Sequence, residues 1–140
     1  MLRHVLMIGI MTVVFVVPSS LLAHHSTAAY SSTVVVQKGT VTEYDWRNPH
    51  VLVDWTVKDE SGKEVQWQGE LASITSLIAD GMTKDSLKPG QEVIMTVLPA
   101  KSGEPRAIIA AIQLADGTTV LKWSRQAQGQ LHAKQNQPQQ

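Results

Sequence analysis

The chain has 140 residues, enough for one domain, and carries 12 basic and 12 acidic residues. With no excess of Lys and Arg to neutralise phosphates, the composition excludes a nucleic-acid binder. The absence of cysteine excludes disulfides, thiolate metal sites and cysteine nucleophiles.

The N-terminus has the organisation of a secretory signal peptide. Arg3 supplies a positive charge, residues 5–17 form an apolar run, and Ala23 places a small residue before a possible cut. We predict a signal peptide over residues 1–23 and export to the periplasm. An uncleaved anchor is the alternative, but the run is shorter than the roughly 20 residues that span a bilayer.

The cleavage site decides which residue begins the mature chain. A cut after Ala23 makes His24 the N-terminal residue and leaves no membrane span. A cut after Ala28 is the second possibility, and it removes His24 and His25.

The mature chain begins with a polar lead-in over residues 24–38, within which residues 34–36 form a short strand or begin the first long one. The domain follows over residues 39–123. Its first three strands are predicted from β-branched, aromatic and alternating residues at 39–46, 51–57 and 65–71. On the second strand, Val51, Val53 and Trp55 share one face, which we assign to the core.

The period then changes from strand to helix. Ser73 can cap a helix in which Ile74, Leu77 and Ile78 recur at helical spacing, and Gly81 can end it. Further strands are predicted at 93–98 and 107–114, and Asp116-Gly117 marks a hairpin to a short strand. A helix between the third and fourth of five strands is the order of the OB-fold, so we predict a mostly β, five-stranded OB-like barrel. The alternative is an open β-sandwich with one helix.

The C-terminal tail, residues 124–140, contains seven glutamines and few apolar side chains. Such a segment buries too little surface to offset the entropy lost on ordering. The composition therefore predicts disorder.

Three histidines of the mature chain are candidate metal ligands. An N-terminal His24 offers its α-amine and its ring, His25 follows, and His50 comes after an Asn-Pro turn. Nitrogen-rich sets suit Cu(II), and imidazole also binds zinc. The pattern predicts a copper or zinc site on His24, His25 and His50, with Asp54 orienting a ligand or joining the set. A flexible polar start and a histidine that merely hydrogen-bonds its turn are the structural alternatives.

The same turn also suggests a metal-free binding surface. OB barrels bind ligands beside the first and last inter-strand loops, here residues 46–50 and 100–105. Trp46, Arg47, Asn48 and Asp54 are the candidate residues for contact with an unidentified partner protein or small ligand.

A small periplasmic enzyme is the third hypothesis. Glu43, Asp45, Asp54 and Glu70 lie on predicted strands, where paired carboxylates can exchange protons. No phosphate loop, nucleophile elbow or metalloprotease motif is present in the sequence. We assign no catalytic residue.

Several segments together resemble a family of small exported bacterial proteins catalogued as a domain of unknown function. The segments are the start 23–26 (AHHS), 39–43 (GTVTE) leading to 46–50 (WRNPH), 81–90 (GMTKDSLKPG) and 114–117 (LADG). The resemblance covers nearly the whole mature domain. It implies an exported β-barrel-like domain from Gram-negative bacteria and brings no established activity.

Overall fold

The structure is a computed structural model that describes residues 29–135. The predicted signal segment, His24, His25 and residues 136–140 lie outside the described residues. The elements in chain order are β1 Val35–Asp45, β2 Leu52–Lys58, β3 Glu64–Glu70, α1 Ile74–Ala79, β4 Glu92–Pro99, β5 Arg106–Leu114, β6 Thr119–Leu121 and α2 Arg125–Gln135.

Five strands close into a mixed β-barrel. The hydrogen-bonded order is β3-β2-β1-β4-β5, and a parallel pairing of β3 with β5 joins the two ends. The other pairings in the barrel are antiparallel. The short strand β6 pairs antiparallel with β5 and is not one of the five barrel strands. With α1 between β3 and β4, the structure confirms the OB-like barrel, and the open sandwich is wrong.

The first strand serves two partners, which explains its length. Residues 35–40 of β1 pair with β4, residues 40–45 pair with β2, and a bulge lies between Val41 and Glu43. Gly39 sits at the transition, where an added Cβ would lie 2.3 Å from the main-chain oxygen of Thr56. Because β1 begins at Val35, the barrel starts four residues before the predicted boundary, and the valines at 34–36 lead into the first long strand.

The barrel interior is filled by the alternating apolar residues that the sequence indicated. Val51, Val53 and Trp55 are fully buried, and the ring of Trp55 stacks on that of Trp67 at 6.0 Å between centroids. Ser73 is the N-cap of α1, as predicted, and Leu77 is the buried residue of that helix.

A second, smaller apolar cluster lies outside the barrel wall. Leu98, Ile108 and Ala110 from β4 and β5 are buried together with Ala127 of α2, and Tyr30, Trp123 and Leu131 pack against them. Residues 125–135, within the tail that the composition predicts to be disordered, form α2 in the structure. The helix buries few apolar side chains, and the Gln-rich composition of the segment did not indicate that they would be buried. Among the described residues, no helix is long and apolar enough to cross a membrane.

Candidate functional site

His50 lies at the end of the turn between β1 and β2, beside the carboxylate of Glu70. Main-chain hydrogen bonds join Val51 to Leu71 and Ala72, and Leu52 pairs with Glu70 across the β2–β3 ladder. This register brings Nδ1 of His50 into contact with Oε1 of Glu70. The His50 side chain is 36% exposed and that of Glu70 13%, so the pair lies at the surface with its carboxylate largely covered.

Glu70 is also held from the other side by the C-terminal helix. Nε2 of Gln126 donates to the same Oε1 at 2.9 Å. One largely covered oxygen of Glu70 thus contacts both the His50 ring and the Gln126 amide. The sequence indicated Glu70 only as a strand carboxylate, because its pairing with His50 depends on the β2–β3 register and Gln126 lies in the segment predicted to be disordered.

Tyr30 brings the lead-in to the same face of the barrel. Its main chain bridges to Ala100, and its side chain packs on the outer apolar cluster. Burial raises the pKa of the Tyr30 hydroxyl, the negative charge of Glu70 raises it further, and Arg106 opposes the shift. The phenol of Tyr30 and the carboxylate of Glu70 are therefore electrostatic neighbours.

The predicted metal ligands are only partly covered by the structure. His50 lies at the surface, whereas His24 and His25 lie outside the described residues. Among residues 29–135, no group of three or more His, Asp or Glu side chains could hold a metal ion. The carboxylate in contact with the His50 ring is that of Glu70, whereas the sequence suggested Asp54 for that position.

The three predicted surface residues of the turn have largely structural contacts. Trp46 is half-buried against the core, with its ring 5.7 Å from that of Tyr44. Arg47 forms a two-pronged ion pair with Asp45, which lowers the pKa of that carboxyl. Asn48 accepts a hydrogen bond from the main-chain N–H of Ile74 at 3.2 Å and so holds the turn against α1. These contacts give each turn residue a structural use, and their contact with a ligand stays a prediction.

Asp54 lies away from the turn, on the outer face of β2. It pairs in register with Gln68, which pairs with Arg106, and Arg106 donates to the Gln68 side chain at 3.1 Å. Asp54 lines a shallow groove of about 370 Å³ that also includes Glu104 and Arg106. The predicted surface is thus divided: Asp54 belongs with the 100–105 loop, and Trp46, Arg47 and Asn48 belong with His50.

Comparison with known proteins identifies the family but adds no activity. The model of the family of unknown function DUF6152 matches residues 13–109, more than half of the chain, so the chain belongs to this family. The matched range includes His24, His25, His50 and Glu70, whereas α2 lies beyond it. No curated protein and no solved structure matches the chain.

Proposed function

We propose that this member of DUF6152 is a periplasmic protein that binds one divalent metal ion, with His50 as the ligand supplied by the barrel. Cu(II) is the favoured ion, and zinc is the second candidate. The observation that carries the proposal is the contact between Nδ1 of His50 and Glu70. A metal-binding histidine almost always donates its other ring N–H to such a group, which fixes the tautomer. When Nδ1–H donates to Glu70, the lone pair of the neutral ring lies on Nε2, the atom that would bind the metal.

The remaining ligands would come from the mature N-terminus. After cleavage at Ala23, His24 supplies its α-amine and its imidazole and His25 a second imidazole, which with His50 gives the nitrogen-rich set that Cu(II) favours. Tyr30, whose hydroxyl responds to the charge of Glu70, is five residues after His25. Five residues span at most about 17 Å, which limits how far from Tyr30 His25 could bind.

The test is a metal-affinity comparison on the mature chain beginning at His24. Competitive titration with Cu(II), and separately with Zn(II), would be carried out on the wild type, His50→Ala and Glu70→Gln. His132→Ala, which removes an exposed histidine of α2, is the matched control. We expect His50→Ala to bind the metal much more weakly, Glu70→Gln to lose roughly 10- to 100-fold in affinity as an outer-shell change, and His132→Ala to match the wild type.

A second comparison isolates the α-amine. A chain with one extra residue before His24 keeps all three imidazoles but moves the amine, and we expect it to bind Cu(II) more weakly. Undiminished affinity in His50→Ala would contradict the role of the barrel. A wild type that takes up neither metal would overturn the proposal and favour a metal-free module that docks a ligand on the groove of Asp54.

A further inference from the structure

A shallow groove on the outer wall of the barrel shares no lining residue with the His50–Glu70 pair. Strands β2 and β3 and the loop between β4 and β5 form this groove, whose volume of about 370 Å³ is in the range of small-molecule sites. The sheet register builds its floor, because Asp54 pairs with Gln68 and Gln68 pairs with Arg106. Cross-strand partners lie side by side on one face of a sheet, so three neighbouring strands each present a polar side chain to the groove.

Hydrogen bonds within the chain hold the walls of the groove in place. The main-chain N–H of Gln68 donates to the oxygen of Pro105 at 3.0 Å and fixes the loop against β3. Arg106 donates to the side-chain oxygen of Gln68 at 3.1 Å, and the Ser102 hydroxyl donates to the carboxylate of Glu104 at 3.5 Å. A site that is already ordered in the free protein loses little conformational entropy when a ligand binds.

Asp54 gives the groove a hydrogen-bond acceptor that the described part of the chain does not use. Its Oδ1 is buried and has no hydrogen-bond partner among residues 29–135, whereas buried polar atoms are nearly always paired. The last torsion of an aspartate side chain is soft, so the carboxylate can turn this oxygen toward a donor in the groove. A ligand that brings a hydroxyl group to Asp54 would therefore satisfy an atom that lacks a partner in the free chain.

We propose that this groove binds a neutral saccharide. The carboxylates of Asp54 and Glu104 accept hydrogen bonds and the guanidinium of Arg106 donates them, and a sugar hydroxyl can do both. The half-buried ring of Trp67 borders the groove and offers an apolar surface to the C–H groups of a sugar ring. Two carboxylates disfavour an anionic ligand, and the guanidinium between them disfavours a cationic one. The inference goes beyond the proposed function, because it requires neither a metal ion nor a residue outside the described part of the chain.

The test is an NMR titration of the mature chain, without added metal, with cellotetraose, maltotetraose and the tetramer of N-acetylglucosamine. Chemical shifts of the wild type locate the binding site and need no variant to fold. Affinities are then compared in Asp54→Ala and Glu104→Ala, with Glu60→Ala, an exposed carboxylate of the β2–β3 loop, as the matched control. We expect at least one saccharide to shift the groove resonances. Each groove variant should weaken its binding roughly 10-fold or more, the effect of losing one hydrogen bond to a charged group, and Glu60→Ala should match the wild type.

The salt dependence of binding separates a neutral sugar from a charged ligand. Saccharide affinity should be the same at low and high ionic strength, whereas salt screens an interaction between exposed charges. A lysine-rich peptide that binds the groove more tightly than every saccharide, with an affinity that falls as salt rises, would overturn the inference in favour of a cationic ligand. The inference is also overturned if none of the three saccharides shifts the groove resonances, or if Glu104→Ala, a change at an exposed residue, leaves the saccharide affinity unchanged.

Discussion

Replacing Ser124 with alanine tests how α2 is attached to the barrel. The Ser124 hydroxyl caps the helix by accepting from the N–H of Ala127 and also donates to the oxygen of Ile109, and the residue is fully buried. Loss of a cap costs about 1 kcal/mol. Withdrawing a donor from a carbonyl in a buried setting costs about 1 kcal/mol more. The expected total is therefore roughly 2 kcal/mol.

The assay is urea unfolding of the mature chain. Its fluorescence reports both the core tryptophan, Trp55, and Trp123, which packs on the outer cluster next to α2. If α2 detaches before the barrel unfolds, the lost stability appears instead as faster hydrogen exchange of residues 127–131. Gln128→Ala is the control, with an expected change near zero. A change below about 0.5 kcal/mol for Ser124→Ala, the range of ordinary surface substitutions, with unaltered exchange in α2, would refute the reasoning.

Three further predictions concern the barrel and its pH range. A methyl group added in Gly69→Ala would lie 2.5 Å from two side-chain atoms of Ile109, and we expect urea unfolding to show a loss of about 1–3 kcal/mol from overpacking. Hydrogen bonds, first from the Ser61 hydroxyl, lower the pKa of Asp59, so its stabilisation is complete above pH about 4 and lost as pH falls through the folded pKa. Asp59→Asn should therefore flatten the acid side of the stability profile, and an unchanged slope contradicts this. Burial raises the pKa of Tyr44, so its stabilisation is present below pH about 10 and lost as pH rises through the folded value. Tyrosinate absorbance should show Tyr44 ionising later than an exposed tyrosine.

Residue pattern alone predicted much of the barrel. The alternation of Val51, Val53 and Trp55 reports directly which side of a strand is buried, and the change of period after Ser73 marks a helix. The order of elements then restricts the topology to few possibilities. The parallel pairing of β3 with β5 was not predicted, because no local pattern encodes a contact between strands far apart in the sequence.

The candidate site was predicted in part. His50 was identified from its turn and its chemistry, but its neighbour is determined by the β2–β3 register, which sets Glu70 rather than Asp54 beside it. Gln126 was missed for a different reason. Helix formation at residues 125–135 depends on a buried serine cap and on tertiary packing against β5, and composition carries neither signal.

Arg47 and Asn48 have structural contacts that the sequence did not indicate. Polar residues in a turn next to a histidine suggested a surface for a ligand, yet one pairs with Asp45 and the other holds α1. Polar side chains in turns commonly hydrogen-bond to nearby backbone. The structure shows the structural use, and contact of these residues with a ligand stays a prediction.

Native mass spectrometry of the protein recovered from the periplasm of cells supplied with Cu(II) and Zn(II) tests the central claim most directly. The measured mass identifies both the first residue of the mature chain and the bound metal in one spectrum. The account predicts a chain that begins at His24 and retains one metal ion, and a His50→Ala chain that begins at the same residue and retains none. A wild-type chain that begins after Ala28, or one that begins at His24 and carries no metal, would contradict it.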